Sequence, residues 1–347
     1  MAEARTSGER VPTGQLVSVI IPTANRAGYL REAMESVFAQ SHRPIELIVV
    51  DDGSTDATCE TIRAFSACHA GDREFSCQYL QQHRRGPLVA RNKAIEGSHG
   101  RFIQFLDDDD TLHPEKLATQ VGVLGSEPDV DAVVCQTVYC NERMQAKAVS
   151  RVFTGPNDTD MVAFFLDLRH DIAIHAPLFR RAAIDAVGGW DERVTHGGEV
   201  ELHLRMAISG VRFRFTHDEF AYARCHRSPG RLTIAERKTP ASDEREFYER
   251  IVRYSEAQKG HRDESLRAGA AQRLVRIGRR HYASCRPGIG KGCLEAAREL
   301  SSRHQSLRLR VYTSPAGCIV GTFVEVCGHL ATRAARLAIR LTRPPSG

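Results

Sequence analysis

The sequence predicts an α/β fold built on a parallel sheet covered on both faces. Three features lead there: short apolar runs rich in β-branched residues recur along the front of the chain, stretches with helical spacing separate them, and two of the runs stop in aspartates. Apolar runs of this length, bounded by turn residues, read as strands buried on both faces. The helices between them supply the crossovers that parallel pairing requires.

Residues 17–22 (Val-Ser-Val-Ile-Ile-Pro) form the first strand, and 27–38 follow with helical periodicity. The second run, 45–50, halts at Asp51-Asp52-Gly53-Ser54, and a helix is predicted over 56–68. A third strand is read at 75–81 and a helix at 88–96, closed by Gly97. The fourth run, 102–106, leads into Asp107-Asp108-Asp109-Asp110, after which Pro114 suits the first turn of a new helix. Beyond 131 the pattern is mixed, with a strand at 132–139, a Gly188-Gly189-Trp190-Asp191-Glu192 turn, a helix at 199–208 and strands at 211–215 and 219–224. From Arg231 onward the sequence is helical and arginine-rich.

With 347 residues, 41% of them apolar, the chain is long enough for one large domain and an appendage. Its ten cysteines include no C-x-x-C pair, and nothing in their spacing suggests a zinc or disulfide framework. The N-terminus has no secretory apolar segment, so reduced thiols in a cytoplasm are expected. Charge is uneven: from Arg231 on there are 23 Lys/Arg against 11 Asp/Glu, a net of +12, and the chain total of +5 leaves −7 for the front. An acidic front disfavours nucleic-acid binding and suits a site for a divalent cation.

Ligands of open α/β sheets bind beyond the carboxyl ends of the strands. Both acidic clusters, Asp51-Asp52 and 107–110, fall at that edge. Carboxylates one residue apart, as in the D-x-D pair Asp107 and Asp109, can hold a hard cation through oxygen, and a nucleotide diphosphate would complete its shell. The competing reading is an Asp-rich turn before a helix N-terminus.

The text Val-Ser-Val-Ile-Ile-Pro-Thr-Ala-Asn-Arg (17–26), Ile-Val-Val-Asp-Asp-Gly-Ser-Thr-Asp (48–56), Ala-Arg-Asn-Lys-Ala-Ile (90–95) and Phe-Leu-Asp-Asp-Asp-Asp (105–110) resembles the inverting family-two glycosyltransferases. The resemblance is clear over 16–114, weaker to 231, and silent on the tail. It implies the GT-A fold, a Rossmann-like mixed sheet flanked by helices, here with a helical C-terminal extension. The implied organisation is a leader at 1–15, a GT-A domain at 16–231 and a basic helical extension at 232–347. It further implies that Pro22 and Thr23 line the base and ribose of a nucleotide and that Asp52 accepts a hydrogen bond from the base, with Asp51 beside it. Arg91 would pair with phosphate, Asp107 and Asp108 would lie at the ribose and metal region, Asp109 would ligate the metal with Asp107, and Asp110 would stand behind them or face the acceptor. Plainer roles exist for two of these: Asp52 organises its own turn, or Arg91 is a surface charge on its helix.

Inverting transfer requires a carboxylate that deprotonates the acceptor hydroxyl. Family members carry Glu-Asp ahead of a helix ending in Leu-x-Leu-Arg, after a Gly-Gly-aromatic-Asp-Glu turn. Aligning on Arg205 puts Gly198 at the Glu position and Glu199 at the Asp position, which makes Glu199 the candidate base and Asp191 the fallback. Glu201 is expected to be a solvated charge. His226 matches the closing segment of the family, where it would reach the diphosphate or the metal, or simply be an exposed loop residue. Trp190, the single tryptophan, either stacks on a sugar or fills core.

The tail from 328 to 343 reads as an amphipathic helix, with Arg333, Arg336, Arg340 and Arg343 on one face and leucines beside them. It either lies on an anionic membrane or packs on the catalytic domain with a solvated basic side. The expected protein is a cytoplasmic enzyme, peripheral to the inner membrane face if the tail binds lipid. It takes a nucleotide-diphosphate sugar, UDP-linked by expectation, and a Mg2+ or Mn2+ cofactor. It glycosylates a saccharide or lipid-linked acceptor in cell-surface polysaccharide or glycoconjugate synthesis. Sugar-phosphate nucleotidyltransferases share the strand-helix alternation but open with a Gly-rich, Arg-containing loop that 22–25 lacks. A degenerate nucleotide-sugar-binding protein is the third reading, supported by the altered 198–199 pair.

Overall fold

The computed structural model describes residues 15–150, 160–166, 172–225, 241–283 and 287–300. The chain divides into two compact units, one ending at Lys238 and the other beginning at Thr239. The junction expected after residue 231 falls within 226–240, and the expected tail helix at 328–343 also lies outside the described residues.

In the first unit, β1 (Val17–Thr23), β2 (Ile45–Asp52), β3 (Phe75–Gln82) and β4 (Phe102–Phe105) alternate with α1 (Ala27–Phe38), α2 (Thr58–His69) and α3 (Pro87–Gly97). These strands pair in parallel in the spatial order β4-β1-β2-β3. The short β5 (Thr111–Leu112), α4 (Lys116–Ser126), β6 (Ala132–Val134), β7 (Thr137–Cys140), β8 (Ala146–Val149) and α5 (Met161–Leu166) follow. Then come β9 (Pro177–Arg180), α6 (Arg181–Ala186), α7 (Gly198–Ile208), β10 (Phe213–Phe215) and β11 (Ala221–Arg224). β9 enters antiparallel between β4 and β6, so the seven-stranded sheet β10-β6-β9-β4-β1-β2-β3 is mixed, as the family resemblance implies.

The predicted strand at 132–139 is two strands in two sheets. β6 belongs to the large sheet, whereas β7 joins β5, β11 and β8 in a second sheet of four. The break falls at Cys135-Gln136, where the Gln136 N–H leaves the large sheet to donate to the Asp218 carbonyl at 2.8 Å. The composition is apolar on both sides of this switch, so periodicity alone reads one element.

Alternation along the strands loads both faces of the large sheet. Val17, Val19, Ile21, Leu47 and Val49 meet Leu30, Met34, Ile62, Leu117 and Leu124 from α1, α2 and α4. Ile20, Ile48, Val50, Ile103 and Phe105 meet Ala90, Ala94, Ile184, Leu202 and Met206 from α3, α6 and α7. This two-sided core explains why the strands read as continuous apolar runs.

One polar group runs through this interior. Lys116, fully buried, donates from Nζ to Gln104 Oε1 and Gln120 Oε1, each at 2.5 Å. Gln104 Nε2 in turn reaches the carbonyl of His175 at 3.1 Å, and Gln120 Nε2 reaches the carbonyl of Ala176 at 3.0 Å. Burial pushes the Lys116 pKa down to about 8, with Cys135 opposing. Because the folded value lies below the unfolded 10.5, the unfolded chain holds a proton between these pH values that the folded chain has lost. Stability from this group therefore rises as pH increases from about 8 to about 10.5, by on the order of 3 kcal/mol in total. Urea denaturation of wild type and Lys116→Met is expected to show a difference that changes across this window. A difference that stays flat with pH refutes a lowered Lys116 pKa in the folded chain.

Among the described residues, the second unit contains α8 (Ala241–Lys259), α9 (Glu264–Ala283) and α10 (Pro287–Leu300), in line with a helical C-terminal region. Tyr248, Ile251, Leu266, Leu274, Leu294 and Ala297 are buried in it. Asp263 caps α9 by accepting the Leu266 N–H at 3.1 Å.

Candidate active site

Three loops leave the carboxyl ends of β1, β2 and β4 and are tied together. Thr23, opposite Asp51 in register, donates its hydroxyl to Asp108 Oδ2 at 2.7 Å. Arg26 Nη1 reaches Asp108 Oδ1 at 3.1 Å and Asp109 Oδ2 at 2.7 Å. Asn25, at a φ of 57°, donates its N–H to Ser54 Oγ at 2.9 Å and accepts from the Thr55 N–H at 2.7 Å. Asparagine tolerates that left-handed conformation better than most residues. The two acidic clusters thus occupy one rim of the sheet.

Within the second cluster the four aspartates diverge. Asp107, about a third exposed, accepts from Arg91 Nη2 at 2.5 Å. Asp108 turns inward onto Thr23 and Arg26; burial, with Asp109 adding to it, pushes its pKa up to about 7, and Arg26 partly offsets that. Burial works against the Arg26 charge, but Asp108 and Asp109 outweigh it and its pKa is raised. Asp110 Oδ1 accepts the Arg224 N–H at 2.7 Å, while Arg224 Nε donates to the Asp109 carbonyl at 3.0 Å. One carboxylate oxygen from each of Asp107, Asp109 and Asp110 lies within 4.8 Å of the others. Three converging carboxylates match the oxygen chemistry of Mg2+ or Mn2+ and poorly suit a thiophilic metal.

Asp51 and Asp52 are engaged. Asp51 accepts from the Ser54 N–H at 2.8 Å and from the Tyr79 hydroxyl at 3.0 Å. Asp52 accepts from Gln82 Nε2 at 2.8 Å and from the N–H groups of Arg85 at 2.7 Å and Gly86 at 2.9 Å. Asp52 therefore holds the turn into α3, with three donors on its two oxygens. Pro22 is buried at the end of β1, opposite Val50.

Arg91 is buried rather than a surface charge, and its guanidinium sits 4.7 Å from the centre of the Trp190 ring. Trp190 is core, 3% exposed and edge-on to Phe105. Its backbone is clasped by Asn92, which accepts from the Trp190 N–H and donates to the Trp190 carbonyl, both at 2.9 Å. The preceding Gly189 has a φ of 71°, and a β-carbon there would stand 2.8 Å from Asn92 Oδ1, so the turn requires glycine.

α7 starts against this turn. A β-carbon on Gly198 would stand 2.9 Å from Leu88 Cδ2 and 3.5 Å from the Trp190 ring. A side chain at 198 would therefore require the Leu88 methyls to shift. Glu199 follows in the first helical turn, half-buried. Nearby, Arg91 links the Trp190 ring to Asp107. Asp191 is gripped by Arg193, with Nε to Oδ1 and Nη2 to Oδ2 both at 2.8 Å. Glu201 is not solvated: it is 2% exposed and takes Arg205 through Nε at 2.6 Å and Nη2 at 2.7 Å. Arg205 also donates to the carbonyls of Val187 and Gly189, so the pair fastens the Gly-Gly turn to α7. A Glu and an Arg four residues apart on a helix look solvent-facing in sequence, and only the inward face of α7 reveals the pair. His226 lies outside the described residues.

Arg26, Arg224 and His175 carried no sequence assignment. Arg26 ends the first motif, and its charge next to an acidic cluster was a usable signal. Arg224 lies in β11, in the segment that leads to His226, and His175 lies in the turn before β9, where nothing in the sequence marks it.

Residues 18–188 match Glycosyl transferase family 2. This part of the chain is a family 2 glycosyltransferase domain. The uncharacterized glycosyltransferase RT0329 of Rickettsia typhi is 31% identical over 223 residues, 61% of this chain and 64% of that protein. The chain thus spans just under two thirds of that relative's length. TuaG of Bacillus subtilis, provisionally named as a teichuronic acid biosynthesis glycosyltransferase, is 41% identical over 106 residues, 30% of this chain and 40% of TuaG. Among solved structures, S. aureus TarS 1–349 in complex with UDP-GlcNAc superposes with a TM-score of 0.57 at 18% identity, covering 86% of this chain and 87% of that one. The mannosyltransferase PcManGT from Pyrobaculum calidifontis, in complex with GDP-Man and Mn2+, gives 0.55 at 20% identity, covering 89% and 79%. At these identities the likeness is one of fold, and it identifies the family 2 domain as GT-A. Among the described residues no helix is long and apolar enough to cross a membrane.

Proposed function

We propose that the family 2 domain transfers a sugar, with inversion, from a nucleotide-diphosphate sugar to an acceptor hydroxyl. The convergence of Asp107, Asp109 and Asp110 within 4.8 Å, flanked by Arg26 and Arg91, carries this reading. These three carboxylates would hold a divalent cation, which when bound supplies the positive charge that eases departure of a diphosphate. Thr23, Asp51 and Asp52 would frame the nucleotide, and Arg91 would meet phosphate. Glu199 would take the proton of the acceptor hydroxyl as its oxygen bonds to the anomeric carbon, while the bond to the nucleoside diphosphate breaks on the opposite face. Asp191 would serve this role less well, because Arg193 already engages both its oxygens.

The relatives support a donor with a UDP or GDP base and an acceptor in cell-surface polysaccharide synthesis, since TarS binds UDP-GlcNAc, PcManGT binds GDP-Man with Mn2+, and TuaG is named for teichuronic acid. The basic tail would bring the domain to an anionic inner membrane face where a lipid-linked acceptor resides. A panel of UDP- and GDP-sugars, scored for nucleoside-diphosphate release with and without Mn2+, tests the proposal. The expected result is release that depends on Mn2+ and on one base. Metal-independent release, or none with any donor, refutes it.

A further inference from the structure

Among the three converging carboxylates, Asp110 is approached on both oxygens. Its Oδ1 accepts the Arg224 N–H, and its Oδ2 lies 3.1 Å from His175 Nδ1. His175 is 1% exposed, and neither ring nitrogen has an aligned hydrogen-bond partner; the contact with Asp110 is at hydrogen-bonding distance but off axis. A buried imidazole with both nitrogens unsatisfied is costly unless something else needs it there.

The backbone beneath the ring shows how firmly it is placed. The His175 carbonyl accepts from Gln104 and the Ala176 carbonyl from Gln120, and both glutamines are oriented by the buried Lys116. The Ala176 carbonyl also accepts from Cys135 Sγ at 3.3 Å. Four residues from β4, α4 and the β6 end thus fix the segment that enters β9 and aim its one imidazole at the acidic loop. Packing alone would be served by an apolar side chain, with no polar atoms to satisfy.

We propose that His175 is a positioning residue for the cation site, holding the Asp110 carboxylate so that its oxygen faces Asp107 and Asp109. This rests on the cation site argued above. His175 need not touch the cation; it acts on the carboxylate that does. Groups that orient metal ligands in this way typically alter metal affinity by roughly 10- to 100-fold.

The test is Mn2+ affinity by electron paramagnetic resonance, for Mn2+ alone and with UDP or GDP. The proteins are the full-length wild type, His175→Asn, His175→Phe and His175→Met, with folding checked by circular dichroism. The Asn amide places a donor near the position of Nδ1, whereas Phe and Met fill the space without one. Asn is expected to stay within about threefold of wild type, and the folded apolar variants to lose about 10-fold or more. Equal affinity in wild type and an apolar variant overturns the proposal and leaves the cation site standing, as does an equal loss in Asn and the apolar variants. Failure of both apolar variants to fold assigns the ring to the core and also overturns it. Wild type that holds no Mn2+ under any of the three conditions overturns the site and the proposal together.

Discussion

Asp109→Ala is expected to lower nucleoside-diphosphate release by roughly 1,000-fold or more while leaving the protein at least as stable as wild type. The two halves of this expectation have one cause. Asp107, Asp108, Asp109 and Asp110 are consecutive, three of them buried, and Asp109 raises the pKa of Asp108. Removing one carboxylate from such a cluster relieves repulsion, and Arg26 keeps its contact with Asp108 Oδ1. The fold therefore loses little, whereas the converging set falls from three carboxylates to two. Active sites are often locally unfavourable in this way, and their removal separates stability from activity. Thermal melting and donor turnover on the same preparation check both halves. Undiminished turnover removes Asp109 from the cation site, and a large drop in melting temperature recasts it as a structural residue.

Much of this was visible in the sequence because local and global signals agree over the front of the chain. β1, β2, α1 and the acidic turns each announce themselves through period, punctuation and position at strand ends. α1 runs from Ala27 to Phe38, as its spacing predicts. The sequence becomes less readable where a residue's meaning depends on a distant partner. Glu201 looks exposed until Arg205 and the Gly-Gly turn are folded against it. Asp108 reads as one of four equivalent acids, yet Thr23 and Arg26 draw it inward and distinguish it from its neighbours. The 132–139 run conceals a change of sheet because apolar residues continue through it. Gly198 looked like the loss of a carboxylate; the structure shows what stands there instead, Leu88 and Trp190 packed against the helix start.

Those contacts sharpen the expectation for the base. Glu199→Gln is expected to reduce kcat by roughly 100- to 10,000-fold with little change in donor KM, because proton removal from the acceptor is lost and donor contacts are retained. Glu201, two residues on, should behave in the opposite way. Its buried pair with Arg205 holds the turn that carries Trp190, so Glu201→Gln is expected to cost about 3 kcal/mol of stability, with activity falling only as the folded population falls. Asp191→Asn removes the carboxylate that the exposed Arg193 engages and should cost less than tenfold in kcat. These three variants form one experiment because they exchange a carboxylate for an amide of the same shape at three points around a single turn. If Asp191→Asn proves more damaging to kcat than Glu199→Gln, the base assignment passes to Asp191. If Glu199→Gln leaves kcat unchanged, the first turn of α7 takes no part in proton transfer.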